Sequence, residues 1–87
     1  MIPDTFLEYY YGKHKVIDLH NMVKEDAKIA LIYEIDRADF DIDSLVIVHG
    51  YHGGVTIKNL VRKEFTHPRI ERKENLDAGR TIYILKK

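Results

Sequence analysis

Four consecutive apolar residues, Leu45-Val46-Ile47-Val48, stand between the turn-forming stretch Phe40-Asp41-Ile42-Asp43-Ser44 and the glycine-bearing stretch His49-Gly50-Tyr51-His52-Gly53-Gly54. A β-rich run without polar alternation suits a central strand covered on both faces. A chain of 87 residues has room for one core. The rest of the sequence must therefore be arranged around this strand.

The neighbouring periodicities indicate the arrangement. Val16 to His20 alternates as a short strand, and Lys24 to Ala38 carries Ala27, Leu31, Ile35 and Ala38 at helical spacing. Ile57, Leu60, Val61 and Phe65 predict a second amphipathic helix over 56–66, stopped by His67-Pro68. Ile70–Glu74 and Arg80–Leu85 are β-capable runs around Asn75-Leu76-Asp77-Ala78-Gly79, a connection of hairpin length. The order is β-α-β-α-β-β. Strands 16–20 and 45–49, joined through a helix, should lie parallel with a right-handed crossover, and the last two should pair antiparallel. The expected fold class is α/β: a two-layer sandwich with a mixed four-stranded sheet, formed by residues 16–87.

Residues 1–15 precede this pattern as an N-terminal extension, yet Phe6, Leu7, Tyr9, Tyr10 and Tyr11 are too apolar for a free tail. The first helix offers Ile29, Ile32 and Tyr33 outside its core stripe, so the extension is expected to dock there. The aromatics could also stack on bases or meet a protein partner, with docking the preferred reading.

At 45% hydrophobic and 32% charged residues the chain can bury a core under a well-solvated surface, which excludes disorder. The absence of cysteine removes disulfide and thiolate-metal chemistry and fits a reducing compartment. No apolar run approaches the ~18 residues of a membrane span, and the start lacks a signal-peptide pattern, so a cytoplasmic protein with no membrane partner is expected. The net charge of zero conceals a division. Residues 1–43 carry five Lys/Arg against ten Asp/Glu, and residues 44–87 carry nine against four. A basic half of this kind suggests an anionic partner, although solvated helix and hairpin faces give similar counts.

Ligands of parallel α/β sheets collect at the carboxyl ends of the strands. Asp18 and His20 lie at one such end and His49 at the other, so two imidazoles should emerge at the same sheet edge. Asp18, two residues from His20, can bias its orientation and basicity. Gly50, Gly53 and Gly54 permit a tight loop whose following helix start could receive an anion, with Lys58 and Arg62 the nearest basic residues. No Walker or dinucleotide pattern follows, which disfavours nucleoside triphosphates. The five histidines show neither His-x-x-x-His nor zinc-finger spacing; no cofactor is implied with certainty, and a divalent ion held by Asp18, His20 and His49 is one option beside metal-free catalysis.

In these motifs the chain resembles the small MutS-related (Smr) domain family. Ile17-Asp18-Leu19-His20 is similar to its leucine-aspartate-leucine-histidine signature, Val46-Ile47-Val48-His49-Gly50 with Gly54 to its histidine-glycine motif, and Gly79–Leu85 to its closing strand. The likeness covers roughly residues 16–86. Asn21 stands where glycine is usual, Val23 where a capping threonine is common, and His52 and Gly53 alter the loop interior. The resemblance implies a fold similar to the C-terminal domain of bacterial initiation factor three and a nucleic-acid-binding domain for RNA or DNA. Nicking or RNA-cleaving endonuclease activity, with Asp18, His20 and His49 at the functional positions, comes with it, and the ribosome is a candidate partner. The alternatives are a non-catalytic RNA- or ribosome-binding module and a protein-interaction domain.

Overall fold

The computed structural model describes residues 4–50 and 55–87. A helix α1 (Asp4–Tyr11) leads into strand β1 (His14–Asp18), helix α2 (Lys24–Arg37) and strand β2 (Ser44–Val48). One turn of helix α3 (Thr56–Asn59) continues as a π turn (Leu60–Glu64), and strands β3 (Ile70–Asp77) and β4 (Arg80–Leu85) complete the chain. The four strands form one sheet in the order β1-β2-β4-β3, with β1 parallel to β2 and both other pairings antiparallel.

The apolar run of β2 is central as expected, since Leu45, Val46 and Ile47 are all buried. On one face Leu45 and Ile47 join Ile17, Leu19, Tyr83 and Leu85 beneath α2 and the α3–π segment, which contribute Ala27, Leu31, Ile35, Leu60 and Val61. In the π turn the Phe65 amide donates to the Leu60 carbonyl at 2.8 Å, which frees the Val61 carbonyl that an α-helix would have used. The buried hydroxyl of Tyr83 donates to that carbonyl at 2.8 Å. Tyr83 is therefore a core residue, its phenol pKa raised by burial.

Helix α1 does not dock on α2. Leu7, 1% exposed, packs against Val46 and Ile82 on the opposite face of the sheet, and Tyr11 donates to Glu74 Oε1 at 2.9 Å. Burying one leucine contributes roughly 1.5–3 kcal/mol, and the uncovered side chains of β2 and β4 gain a lid. Ile29, Ile32 and Tyr33 are left 46–66% exposed. Gly12 (φ +75°) ends α1, and a Cβ there would collide with the Asp43 carboxylate.

Element limits differ from expectation. The strands β1 and β2 begin and end one or two residues earlier, leaving His20 and His49 just beyond them, the second helical segment stops at Glu64, and β3 runs through Asn75-Leu76-Asp77, so the hairpin turns on Ala78-Gly79 alone. Register shifts between Ile70 and Arg72 and between Asn75 and Asp77 let β3 absorb the extra residues.

Candidate functional site

The site grows from the ends of β1 and β2. Asp18 pairs with Val48 in the parallel register, and the Leu19 amide donates to the Val48 carbonyl at 2.7 Å, so pairing continues one residue past the end of β1. Side-chain alternation then decides which residues meet. Ile17 and Leu19 point into the core under α2, whereas Asp18 faces the side that carries α1.

Asp18 Oδ1 lies 2.5 Å from His20 Nδ1 and accepts the His20 amide at 3.1 Å. Both side chains are about half exposed. Partial burial pushes the Asp18 carboxyl up, but the hydrogen bonds from the His20 ring and amide and the attraction of the imidazole outweigh it and hold the carboxyl below its ordinary value. With Nδ1–H directed at the carboxylate, Nε2 is the nitrogen left for other chemistry, and it makes no hydrogen bond among the described residues. Asn21 follows with φ +65°, the left-handed conformation that glycine and asparagine tolerate best, so asparagine there supports the same turn that glycine would. Val23 precedes α2 without any side-chain cap bond.

His49 lies elsewhere. It is 5% exposed, and its Nε2 stands 2.9 Å from Thr81 Oγ1 while Nδ1 stands 3.0 Å from the Gly50 carbonyl. A carbonyl only accepts, so the proton is on Nδ1 and neutral Nε2 accepts from the threonine hydroxyl. Thr81 pairs with Ile47 and belongs to the helix-covered face. The two imidazoles therefore leave the same sheet edge on opposite faces, and each bonds different partners rather than the other. Burial, opposed by the Gly50 hydrogen bond and joined by the positive charges of Arg62 and Lys58, pushes the His49 pKa down and keeps the ring neutral.

What meets His20 is Gly50. It has φ +76°, and a Cβ there would sit 3.4 Å from the His20 Cβ. The amides of His49 and Gly50 both donate to the Gly79 carbonyl, at 2.9 and 3.0 Å, which ties the loop start to the hairpin turn. Gly53 and Gly54, expected in an anion cradle, and His52 lie outside the described residues.

Arg62, expected to contact phosphate, instead clamps the hairpin. Its Nε donates to Thr81 Oγ1 at 2.7 Å, and Nη2 donates to the carbonyls of Arg80, at 3.1 Å, and Asp77. Nothing in a sequence marks a backbone carbonyl as the acceptor an arginine will choose. Other charges of the basic half are also engaged. Arg69 Nη1 closes the end of α2 on the Ile35 and Ala38 carbonyls at 2.7 and 3.1 Å, Lys73 bonds the Phe65 carbonyl, and Arg72 and Arg80 pair with Glu71, Glu74 and Asp77. His67, beyond the π turn, bonds Asp36 of α2, Nε2 to Oδ1 at 2.8 Å. Lys58 and Lys63 make no ion pair among the described residues. Asp18 and His20 supply two donors that could serve a metal, and no cluster of three or more His, Asp or Glu residues suited to an ion is present among the described residues. Nor is any helix among them long and apolar enough to cross a membrane.

The element order and strand pairing superpose on the crystal structure of the Smr domain of Thermus thermophilus MutS2 with a TM-score of 0.67, at 20% sequence identity, over 84% of this chain and 99% of that domain. The fold is that of an Smr domain. No family model and no curated protein matches the chain, so the likeness to the Smr domain is one of architecture. Within this Smr-like fold, the exposed Asp18–His20 pair occupies the carboxyl end of the first parallel strand.

Proposed function

We propose that the chain is an Smr-type nucleic-acid-binding domain whose Asp18–His20 pair acts on a phosphodiester of RNA or DNA. The observation that carries this reading is the 2.5 Å contact between an accessible carboxylate and an accessible imidazole at the strand end of this fold. Asp18 orients the ring, holding Nδ1 so that Nε2 is presented outward. His20 Nε2 takes the proton of the attacking hydroxyl as the new phosphorus–oxygen bond forms, and returns it to the oxygen released when the old ester bond breaks. His49 acts at one remove in this scheme, holding the Gly50 turn beside His20. Lys58, at the start of α3, attracts the phosphate backbone.

A binding module without turnover is the second reading. It is favoured by the engagement of both His49 ring nitrogens and of Arg62 in internal hydrogen bonds.

The test is incubation of labelled single- and double-stranded RNA and DNA with the wild-type chain, Asp18→Asn and His20→Ala, with and without chelator. Binding that weakens with salt is expected, because neutralised phosphates release counterions. Cleavage lost in both variants with binding retained supports catalysis by the pair. Cleavage by folded His20→Ala at the wild-type rate removes the assignment, and binding without cleavage selects the second reading.

A further inference from the structure

The outer face of α2 carries an apolar stripe that is left exposed among the described residues. Ile29, Ile32 and Tyr33 are 66, 46 and 55% exposed, and with Asp36 and Arg37 they line a shallow groove of about 460 Å³. The N-terminal helix, which the sequence led us to expect here, is seated on the far side of the sheet. Contiguous exposed apolar side chains on a helix mark an interaction surface.

The charges at its ends identify the occupant. Asp26 in the first turn and Arg37 in the last flank the same edge of the stripe, and neither has an ion-pair partner among the described residues; Arg37 instead lies 4.9 Å above the Tyr33 ring. At 3.6 residues per turn, both lie on one side of the line through Ile29. A second α2 laid antiparallel across the stripe, about a two-fold axis level with the Leu31–Ile32 peptide, brings Asp26 of one copy to the height of Arg37 of the other, and does so twice. The same operation sets Ile32 against Ile32 and Ile29 against Tyr33. Asp36 Oδ1 already has a hydrogen-bond partner in His67 Nε2, and the opposed helix dipoles add attraction.

We propose that this face binds a second copy of the chain, α2 against α2, in an antiparallel two-fold dimer with an apolar centre and two Asp26–Arg37 pairs at its rim. A self-complementary patch of this kind is the isologous interface that closed dimers require. The small apolar centre makes the association weak and concentration-dependent.

Sedimentation equilibrium of the full chain up to millimolar concentration tests the proposal. A monomer–dimer equilibrium is expected, abolished by Ile32→Glu. Asp26→Arg and Arg37→Asp should each weaken it by about tenfold, since each sets like charges opposite one another twice. The double variant carrying both changes re-creates the two pairs and should return to within about threefold of wild type. These positions lie on an exposed face, and circular dichroism of each variant checks that the fold is kept. A chain that stays monomeric throughout, a dimer indifferent to the single reversals, or a double variant no tighter than the singles would overturn the proposal.

Discussion

Gly50 lies directly against His20: in its left-handed conformation the glycine presents a bare α-carbon, and a methyl group added there would approach the His20 Cβ to 3.4 Å. Backbone conformation rather than crowding dominates the cost of filling that space. Gly50→Ala should lose about 1–2 kcal/mol for placing an L-residue at φ +76°. Urea unfolding measures the loss, and the His20 ring resonances should move with it. A variant as stable as wild type would mean that the turn relaxes freely.

Asp18 should titrate below an ordinary aspartate, and His20→Ala should move its midpoint upward, because the ring bond is lost while only the amide bond remains. The sign for stability follows from the depressed folded value. The contribution is complete above the unfolded aspartate value near 3.8 and is lost as pH falls through the folded one. It is modest, since the pair is about half exposed and screened by solvent. Carboxyl carbon shifts followed against pH provide the measurement, and an Asp18 midpoint identical in the two proteins would contradict the pairing.

Thr81→Val should remove the donor to His49 Nε2 and the acceptor of Arg62 Nε at one stroke, costing about 1–3 kcal/mol as buried polar groups go unpaired. Thr81→Ser keeps the hydroxyl and should recover most of that. Chemical denaturation of the pair separates lost hydrogen bonding from lost packing.

Because the His49 pKa is lowered in the folded chain, first by burial, the unfolded chain binds the proton more readily. This contribution to stability is present above the ordinary histidine value near 6.5 and declines as pH falls from there through the folded value. Melting temperature should drop across that window in wild type and less steeply in His49→Gln. A flat wild-type profile would count against a neutral buried ring.

The strand and helix pattern was legible because Leu45–Val48 and Ile82–Leu85 are short, β-rich apolar runs bounded by polar or turn residues, whereas Ala27, Leu31 and Ile35 recur at helical spacing. The closeness of Asp18 and His20 was legible too, because they stand two positions apart, although β1 ends at Asp18 and it is the following turn that brings the ring to the carboxylate. The disposition of His49 was not. Its face depends on whether it aligns with Leu19 or His20, and that one-residue parity is set by the β1–β2 register, which local sequence does not encode. The seat of α1 escaped for a similar reason. Among the described residues of that helix only Leu7 is fully buried, with Tyr11 packed partly beside it, and so short an apolar stripe does not distinguish the two faces of a sheet.

The two-residue hairpin turn at Ala78-Gly79 has a consequence for how this chain can be altered. Surface turns of that size are ordinarily where a chain accepts a tag, a new terminus or an inserted segment. Here the Gly79 carbonyl holds the His49 and Gly50 amides, and Arg62 grips the carbonyls on either side of the turn. The tip of the hairpin and the His49-Gly50 turn beside His20 are thus tied to one another, distant in sequence and adjacent in space. Cutting or lengthening the chain at the outermost point of β3–β4 would loosen the strand end that carries Asp18 and His20, so new sequence belongs at the Phe40 bend instead.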